Sequence, residues 1–503
     1  MTGGSPAAPV LLRRLGLAGE PADLRFGWRV VAAVLAIYVL SFAIFYPEVA
    51  TNDDEASYIV QVRMLLAGVS EVTHLDALTG EVIISPSSTY SLGMSLITAP
   101  FVAVFGWRGS FAVACLGLVA MVVLTGRWVA LEGRSPVFAL LLLGVPSVLV
   151  LGRVAMSDVP SGALVALGLY LFWRGLDRGF GWWMAAGLVA GASWALRASN
   201  PLLFVPLFVG TVLRWEWRKF WALVVGGLVG LSLRLGSHQL FFGEAFFERA
   251  YYKFSPFTLD ERLPLYLLGL LILVPGGLIF ASLYRGRRRP ELLITIAVFI
   301  LLYLFQKYSS IETSLSKRLV LALRYMVPLL PVLIFSMSES VPRLWERWRS
   351  RSDFERRVRV EFACARIVML WLAIVGLACA VVHPAFAAWS STQAELRAAI
   401  SEFVPGDAVL LTNQSGTRKF IDEFDRRYRT LRTENFPPAR VSDLVLRHAA
   451  VYLVVLDRSD STWWNGETRR NAEYFERIPT GSELLTDIRP NSTDRLRIWR
   501  LTR

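Results

Sequence analysis

Residues 28–49, WRVVAAVLAIYVLSFAIFYPEV, are the first stretch of the chain that decides its fold. A helix needs about 20 predominantly apolar residues to cross the hydrocarbon layer of a membrane, and this stretch is long enough. It is too long for the apolar core of a signal peptide and lacks a small-residue cleavage pattern. We therefore predict that it stays in the protein as a membrane anchor.

Apolar segments of similar length recur over most of the 503-residue chain, which is 54% hydrophobic and only 18% charged. This composition exceeds what one soluble core needs, so a membrane is the natural solvent. The sequence predicts an all-α polytopic membrane bundle of about 11 to 12 membrane segments. Its candidate spans begin near Trp28, Ser91, Ser110, Pro136, Val159, Trp182, Pro201, Phe220, Pro264, Glu291, Leu319 and Cys364.

The formal charge of +13 does not indicate nucleic-acid binding, because the basic residues concentrate in short segments between the apolar stretches. Cytoplasmic loops of membrane proteins carry the excess of Lys and Arg. The segments placed inside on this rule are 13–29, 174–178, 214–219, 285–289 and 343–366. Counting from them predicts a cytoplasmic N-terminus at 1–27, a transmembrane domain at 28–386 with an external loop at 50–90, and a soluble external domain at 387–503.

One apolar segment does not fit this count. Glu55 and Asp158 are both external only if an even number of crossings separates them, yet three apolar segments lie between. Residues 91–106 form the weakest of the three, since they are short and contain Pro100 and several hydroxyl residues. We expect this segment to be re-entrant or to lie in the membrane interface.

The tail from about residue 387 has the composition of a soluble domain. The sequence predicts strands at 406–414, 451–457 and 496–501, and helices at 418–428 and 441–449, which together indicate a small α/β domain. It contains no phosphate-binding glycine loop, nucleophile elbow or metal-binding helix motif. The four histidines stand alone in sequence and the three cysteines fall in apolar stretches, so neither metal ligands nor disulfides are indicated.

The first external loop begins with an acidic helix start in TNDDEASYIVQVRMLLAG, residues 51–68. Asn52 or Asp53 can cap this helix, and carboxylates in its first turn offset unpaired N–H groups and the helix dipole. Three consecutive acids exceed that need. A carboxylate beside an apolar surface can act as a general base toward a hydroxyl, and Tyr58 and Gln61 share a helix face with Asp54.

A second group of ionisable residues lies at helix ends or inside apolar stretches on the predicted external side. Ser157 or Asp158 can cap a span, and Arg153 lies just before it. Arg197 and Arg324 occupy positions where a guanidinium is expensive without an anion, although snorkelling to the interface explains Arg324 equally well. Lys317 and Arg318 strengthen the anion interpretation, since a lipid phosphate at the membrane boundary needs such partners.

Together these motifs resemble the GT-C class of membrane glycosyltransferases, specifically bacterial relatives of dolichyl-phosphate-mannose protein mannosyltransferases and of lipid A aminoarabinose transferases. The resemblance covers most of the membrane part and rests on the order of the motifs. They are Asp54-Glu55 with Tyr58, the stretch from Pro86 to Gly106, Arg153 to Pro160, Arg197 to Pro201, FGEAFFERAYY at 242–252, and RYMVPLLP at 324–331.

The resemblance implies that a sugar carried on a polyprenyl phosphate is transferred, with inversion, to an acceptor hydroxyl of a lipid, glycan or protein outside a bacterial inner membrane. Asp54 would be the general base, Glu55 would support it and Asp158 would orient donor or acceptor. The substrate-binding set would be Tyr58, Arg153, Arg197, Lys317, Arg318, Arg324 and Tyr325. A divalent cation is a possible cofactor. The sequence SPSSTYSLG at 85–93 lacks the His or Lys that relatives often carry there, which puts one phosphate contact in doubt.

Two other functions fit parts of the pattern. A transporter of a lipid-linked or anionic substrate would also be a polytopic bundle with intramembrane arginines, but carriers usually show internal repeats and a midplane site. We see no repeat, and the acids lie at helix ends on one side. A catalytically inactive scaffold is the third interpretation, and the retained acidic pair argues against it.

Overall fold

The structure is a computed structural model that describes residues 7–15, 22–86, 90–246, 267–271, 274, 276–305, 324–352, 354–413, 424, 426–433, 435–458, 474–478, 481–492 and 494–503. The chain forms two compact units. The membrane unit consists of Met1–Tyr46, Thr89–Ile97 and Phe111–Pro384. The loop–tail unit consists of Pro47–Ser88, Thr98–Ser110 and Ala385–Arg503, so the predicted first external loop belongs to the same unit as the tail.

The membrane unit is helical, as predicted, and the fold class of a polytopic membrane bundle is confirmed. Within the described residues, six helices are long and apolar enough to cross a membrane by length and composition. They are Leu24–Ile44, Trp107–Ala130, Asp158–Arg178, Trp217–Phe242, Arg324–Trp348 and Val358–Phe403. Further helices of this part of the chain are Ala7–Arg14, Gly93–Phe105, Pro146–Leu151, Phe180–Ser193, Phe204–Val212, Gly277–Leu283 and Arg289–Phe305.

An aromatic stack is buried in the membrane unit. The rings of Trp128 and Phe335 stack with centroids 4.6 Å apart, and Trp173 lies 4.2 Å from Trp128. All three side chains are fully buried. Because they come from three of the long helices, aromatic contacts hold together segments that are distant in sequence.

Two helices of the membrane unit approach through glycines. The helix Phe180–Ser193 carries Gly187 and Gly191, spaced as GxxxG, and Trp217–Phe242 carries Gly226 and Gly230 with the same spacing. A Cβ at Gly226 would lie 1.9 Å from the carbonyl oxygen of Met184. Small residues let helix backbones approach closely in membranes, where apolar burial alone gives no preference for a neighbouring helix.

The predicted span beginning at Pro136 is not one continuous α-helix. It is a 3₁₀ run, Pro136–Gly144, followed by the short helix Pro146–Leu151. Pro146 lacks an N–H and pushes Val145 into an extended conformation, and this interrupts the helix. The two pieces still rise by about 27 Å, close to the thickness of a hydrocarbon core.

Residues 91–106 form the helix Gly93–Phe105, which has 13 residues and contains Pro100. Its rise of about 20 Å falls short of the ~30 Å hydrocarbon layer. This short rise agrees with the expectation that the segment does not cross the membrane, which stays a prediction.

The loop–tail unit contains a five-stranded mixed sheet, in keeping with the predicted α/β domain. The strands lie in the order Leu431–Arg432, Val409–Thr412, Val451–Arg458, Asp494–Thr502 and Gly481–Ile488. The first three run parallel to one another. Asp494–Thr502 pairs antiparallel with Val451–Arg458, and Gly481–Ile488 pairs antiparallel with Asp494–Thr502. The strands predicted at 406–414, 451–457 and 496–501 are confirmed, as is the helix at 441–449, which is Val441–Arg447.

The predicted helix at 418–428 falls mainly outside the described residues. Its described end, 426–428, is not helical, because Tyr428 forms a parallel bridge with Leu75 instead. The helix Phe354–Phe403 runs without interruption through residue 387, where the composition becomes soluble.

The first loop contributes the helix Asp53–Ala67 and a hairpin of strands Glu71–Leu75 and Val82–Pro86. The turn of this hairpin packs into the tail: Ala77 and Leu78 are buried in one hydrophobic core with Val441 and Leu444. His448 donates to the carbonyl of Ala77 at 2.5 Å, and Arg447 donates to that of Leu78. The hairpin was not predicted, and neither was its docking, which depends on residues from the other end of the chain.

Asp76 shapes the turn that enters this core. Burial opposes its ionisation, but the backbone N–H groups of Thr79 and Leu78 donate to its carboxylate at 2.8 Å. The pKa of Asp76 is therefore lowered from its ordinary value.

Substituting Gly226 by alanine should destabilise the protein by about 1 to 3 kcal/mol, because the added Cβ overlaps a backbone carbonyl that cannot move independently. Gly236 in the same helix is the matched control, since a Cβ there meets nothing within 4 Å. Its alanine variant should be neutral or more stable by about 0.5 to 1 kcal/mol. Thermal unfolding of the purified variants in detergent measures the difference, and equal melting temperatures would contradict the glycine contact.

Candidate active site residues

Asp158 and Arg197 of the candidate site form an ion pair. Asp158 is the first residue of the helix Asp158–Arg178, and Arg197 follows the helix Phe180–Ser193. One guanidinium nitrogen of Arg197 lies 2.5 Å from a carboxylate oxygen of Asp158. Their side chains are 12% and 3% exposed, respectively. At such burial the pair must stay intact, because either charge alone would carry the full desolvation penalty.

Tyr325 lies between two arginines. The guanidinium of Arg197 is 5.3 Å from the centre of its ring, and that of Arg324 is 5.0 Å away. Arg324 also donates to the phenolic oxygen of Tyr325 at 3.0 Å. Four residues singled out in the sequence, Asp158, Arg197, Arg324 and Tyr325, thus form one cluster, which we call the arginine–tyrosine cluster.

A hydrogen-bonded shell holds this cluster. The hydroxyl of Ser161, one turn after Asp158, donates to the side-chain oxygen of Asn200 at 2.7 Å. The amide of Asn200 donates to the carbonyl of Ser193 at 3.1 Å. Tyr303 donates to the hydroxyl of Ser199 at 2.9 Å, and its ring contacts that of Tyr325. The turn carrying Arg197 is therefore fixed from both sides.

Arg153 lies apart from this cluster and is almost fully buried. It donates to the carbonyl oxygen of Phe45 at 2.7 Å and contacts Nδ1 of His383 at 3.3 Å. These partners come from the end of the first span and from the helix Phe354–Phe403. The contacts give Arg153 a role in joining helices, besides any role in binding substrate.

The acidic helix start in the loop–tail unit is built as a capping structure. Asn52 is the N-cap residue, and its side chain accepts from the N–H of Glu55 at 2.9 Å. The carboxylate of Glu55 reaches back to the N–H of Thr51 at 2.7 Å and to its hydroxyl at 3.1 Å. Reciprocal bonds of this kind define a capping box. Glu55, which is fully buried, therefore has a clear structural function.

Asp54 differs from its neighbour in exposure. Its side chain is only half-buried, whereas Tyr58 and Gln61, which follow on the same helix face, are buried. The helix is tied to the tail by Arg63, whose guanidinium lies 4.8 Å from the ring centre of Phe424. Capping accounts for Glu55, and Asp54 is the more exposed carboxylate of this pair.

The structure shows two buried polar residues, Arg234 and His238, that were not predicted as site residues. Arg234 is buried in the helix Trp217–Phe242, with its guanidinium 4.4 Å from the ring of Trp194. One turn later, His238 accepts from the N–H of Leu92 at 3.3 Å through Nε2. An arginine within an apolar run is a recognisable signal, because it is costly there without partners. Both residues lie beside the chain segment that leads to Arg197.

Two predicted substrate-binding residues, Lys317 and Arg318, lie outside the described residues. Among the residues that are described, no three His, Cys, Asp or Glu side chains converge as metal ligands. Asp158 is paired with an arginine, a partner that competes with a cation.

Comparison with solved structures gives the fold. ArnT, the aminoarabinose transferase from Cupriavidus metallidurans, matches in its apo state with a TM-score of 0.59 and 15% identity, over 95% of this chain and 98% of that one. The same protein bound to undecaprenyl phosphate matches with a TM-score of 0.55 and 14% identity, over the same shares. The chain has the GT-C fold.

The resemblance read from the motifs is thereby confirmed at the level of fold. An archaeal oligosaccharyltransferase from Archaeoglobus fulgidus aligns with a TM-score of 0.46 and 12% identity, over 85% of this chain and 69% of that one, too weak a likeness to add to the argument. No protein-family model and no curated protein sequence matches the chain. The GT-C fold was therefore visible in the order of a few short motifs despite low overall identity.

Breaking the buried pair should be strongly destabilising and non-additive. Asp158→Asn and Arg197→Gln should each lower the unfolding free energy by about 3 to 5 kcal/mol, because each leaves one buried charge uncompensated. The double variant should lose much less than the sum. Thermal unfolding of the four proteins gives the coupling energy.

The i,i+3 pair Glu216–Lys219 is the control cycle, since its oxygen and nitrogen are 3.0 Å apart but the side chains are 40% and 22% exposed. Its coupling should lie below about 1 kcal/mol. Additive losses at Asp158 and Arg197 would show that the two side chains are not coupled.

Proposed function

We propose that this protein is a membrane glycosyltransferase that moves a sugar from a polyprenyl-phosphate donor to an acceptor hydroxyl on the external face of a bacterial inner membrane. The observation that carries the proposal is the arginine–tyrosine cluster, located at the end of a bundle with the GT-C fold. A solved structure with this fold holds undecaprenyl phosphate, the kind of carrier lipid proposed here. The loop–tail unit would then lie on the external side.

The proposed reaction needs a base at the acceptor. Asp54 takes the proton from the acceptor hydroxyl, whose oxygen attacks the anomeric carbon as the bond from that carbon to the donor phosphate breaks. Attack from the opposite side inverts the configuration. The half-buried position of Asp54 supports this assignment, because a general base must lie within hydrogen-bond reach of the hydroxyl it deprotonates and Glu55 of the same pair is fully buried.

The leaving group needs positive charge. A polyprenyl phosphate departs as an anion, and preorganised guanidinium groups stabilise that charge without reorganising during the reaction. Arg324 is proposed to hold the phosphate. Arg197 is already neutralised by Asp158, so its role is to fix Tyr325 and the local geometry. Asp158 accordingly positions the donor site through Arg197, and Tyr58 and Arg153 are proposed as further substrate contacts.

The acceptor class is a lipid, glycan or protein that carries a hydroxyl. A panel of undecaprenyl-phosphate hexoses and pentoses, tested with membrane extracts as acceptor source, would identify the donor first.

Asp54→Asn should lower kcat for sugar transfer by about 10²- to 10⁴-fold, the usual contribution of a general base. Binding of undecaprenyl phosphate, measured as a rise in melting temperature, should persist. Asp53→Asn removes the same charge one residue earlier and should keep kcat within about tenfold. Full transfer by Asp54→Asn would remove the proposed base.

Arg324→Ala should weaken binding of undecaprenyl phosphate by about 10- to 100-fold, since a charge-assisted hydrogen bond contributes about 1.5 to 3 kcal/mol. Arg324→Lys should recover part of the loss, because it keeps the charge but not the planar fork. Arg343→Ala, near the other end of the same span, is the control and should bind normally. Unchanged binding by Arg324→Ala would reject this residue as the phosphate contact.

A further inference from the structure

A cavity lies in the membrane unit, lined by side chains outside the arginine–tyrosine cluster. It has a volume of about 600 Å³ and is open to its surroundings. Its lining residues are Trp28, Val123, Arg127, Ala130, Leu131, Tyr170 and Arg174. Two arginines and two amphipathic aromatic residues thus share the cavity with three aliphatic side chains.

The cavity lies where three spans end on the basic side of the bundle. Trp28 is near the start of Leu24–Ile44, Arg127 is in the last turn of Ser110–Ala130, and Arg174 is near the end of Asp158–Arg178. The first of these helix ends also carries Arg25 and Arg29. An excess of basic residues marks the cytoplasmic side, and Trp and Tyr concentrate at the level of the lipid headgroups.

The two arginines of the cavity have no anionic partner in the described part of the chain. Neither forms a hydrogen bond or an ion pair there. Arg174 lies 6.0 Å from the ring centre of Trp182, and its buried Nε–H meets no acceptor among the described residues. Arg127 is exposed. At the same end of the bundle Arg134, Arg214 and Arg288 each pair with a glutamate.

Nearby acids are already engaged. Glu132 lies 2.6 Å from Arg288, and it lines a separate cavity of about 130 Å³ together with Asp177 and Arg287. None of the residues that line the larger cavity is acidic. Its local charge is therefore positive, and a ligand that fits must bring negative charge.

We propose that this cavity binds an anionic glycerophospholipid of the cytoplasmic leaflet. Guanidinium groups bind phosphate oxygens through paired hydrogen bonds, and Arg127 and Arg174 supply two such groups. The aliphatic lining by Val123, Ala130 and Leu131 accommodates the start of the acyl chains. Free phosphate would leave this apolar surface unused, and the position at the span ends is the depth of lipid headgroups. The bound lipid ties the ends of three spans together.

The test uses the full-length protein in a neutral detergent. Phosphatidylglycerol should raise its melting temperature and survive as bound lipid in native mass spectra, whereas phosphatidylcholine and inorganic phosphate should do neither. Arg127→Gln and Arg174→Gln should each weaken the apparent affinity for phosphatidylglycerol by about fivefold, and the double variant by about 25-fold. Arg178→Gln removes a charge at the same end outside the cavity lining and should bind like the parent protein.

Three outcomes would overturn the proposal. The first is that phosphatidylglycerol neither binds nor stabilises the parent protein, and the second is that inorganic phosphate stabilises it equally. The third is that Arg178→Gln loses as much affinity for phosphatidylglycerol as the cavity variants. The exposed side chain of Arg127 makes its single variant unlikely to disturb folding, so that variant decides the question if the double variant cannot be purified. Transfer activity is not the readout, so failure here leaves the proposed glycosyltransferase function standing.

Discussion

The ion pair between Asp158 and Arg197 is the contact on which the arginine–tyrosine cluster depends. Inside a membrane-spanning bundle a charge is stable only beside an opposite charge or a full set of hydrogen bonds. The pair satisfies that condition at 2.5 Å and joins the start of one span to the turn after the next helix. Since Arg197 is held there, it can lie against Tyr325, which in turn contacts Arg324.

The same constraint organises the opposite, basic end. Arg214 pairs with the fully buried Glu291, Arg288 with Glu132 at 2.6 Å, and Arg134 with Glu339 at 2.9 Å. These pairs link helix ends whose connecting loops carry the excess positive charge. Arg127 and Arg174 differ from these three arginines, because within the described part of the chain neither forms an ion pair with an acidic residue. A lipid headgroup is the anion that the membrane itself provides.

In the loop–tail unit the tail of the chain holds the first loop. The helix carrying Asp54 is followed directly by a hairpin whose turn, at Ala77 and Leu78, is buried in the core of the tail. Arg63 makes a further contact with the tail through Phe424. The tail therefore supplies the surface on which the first loop folds, and the loop supplies part of the hydrophobic core of the tail.

The sequence by itself predicted a polytopic helical membrane bundle, the α/β character of the tail, a helix cap at Asn52 or Asp53 and the motif order of the GT-C fold. Each depends on neighbours within about one helix or strand, where hydrophobicity and capping chemistry act locally. Only the tertiary structure decided that Glu55 closes a capping box, that Pro136–Leu151 is broken, that four predicted site residues cluster, and that the hairpin docks in the tail. The last two join residues far apart along the chain, and their stability comes from burying charge or apolar surface together, which no single segment can specify.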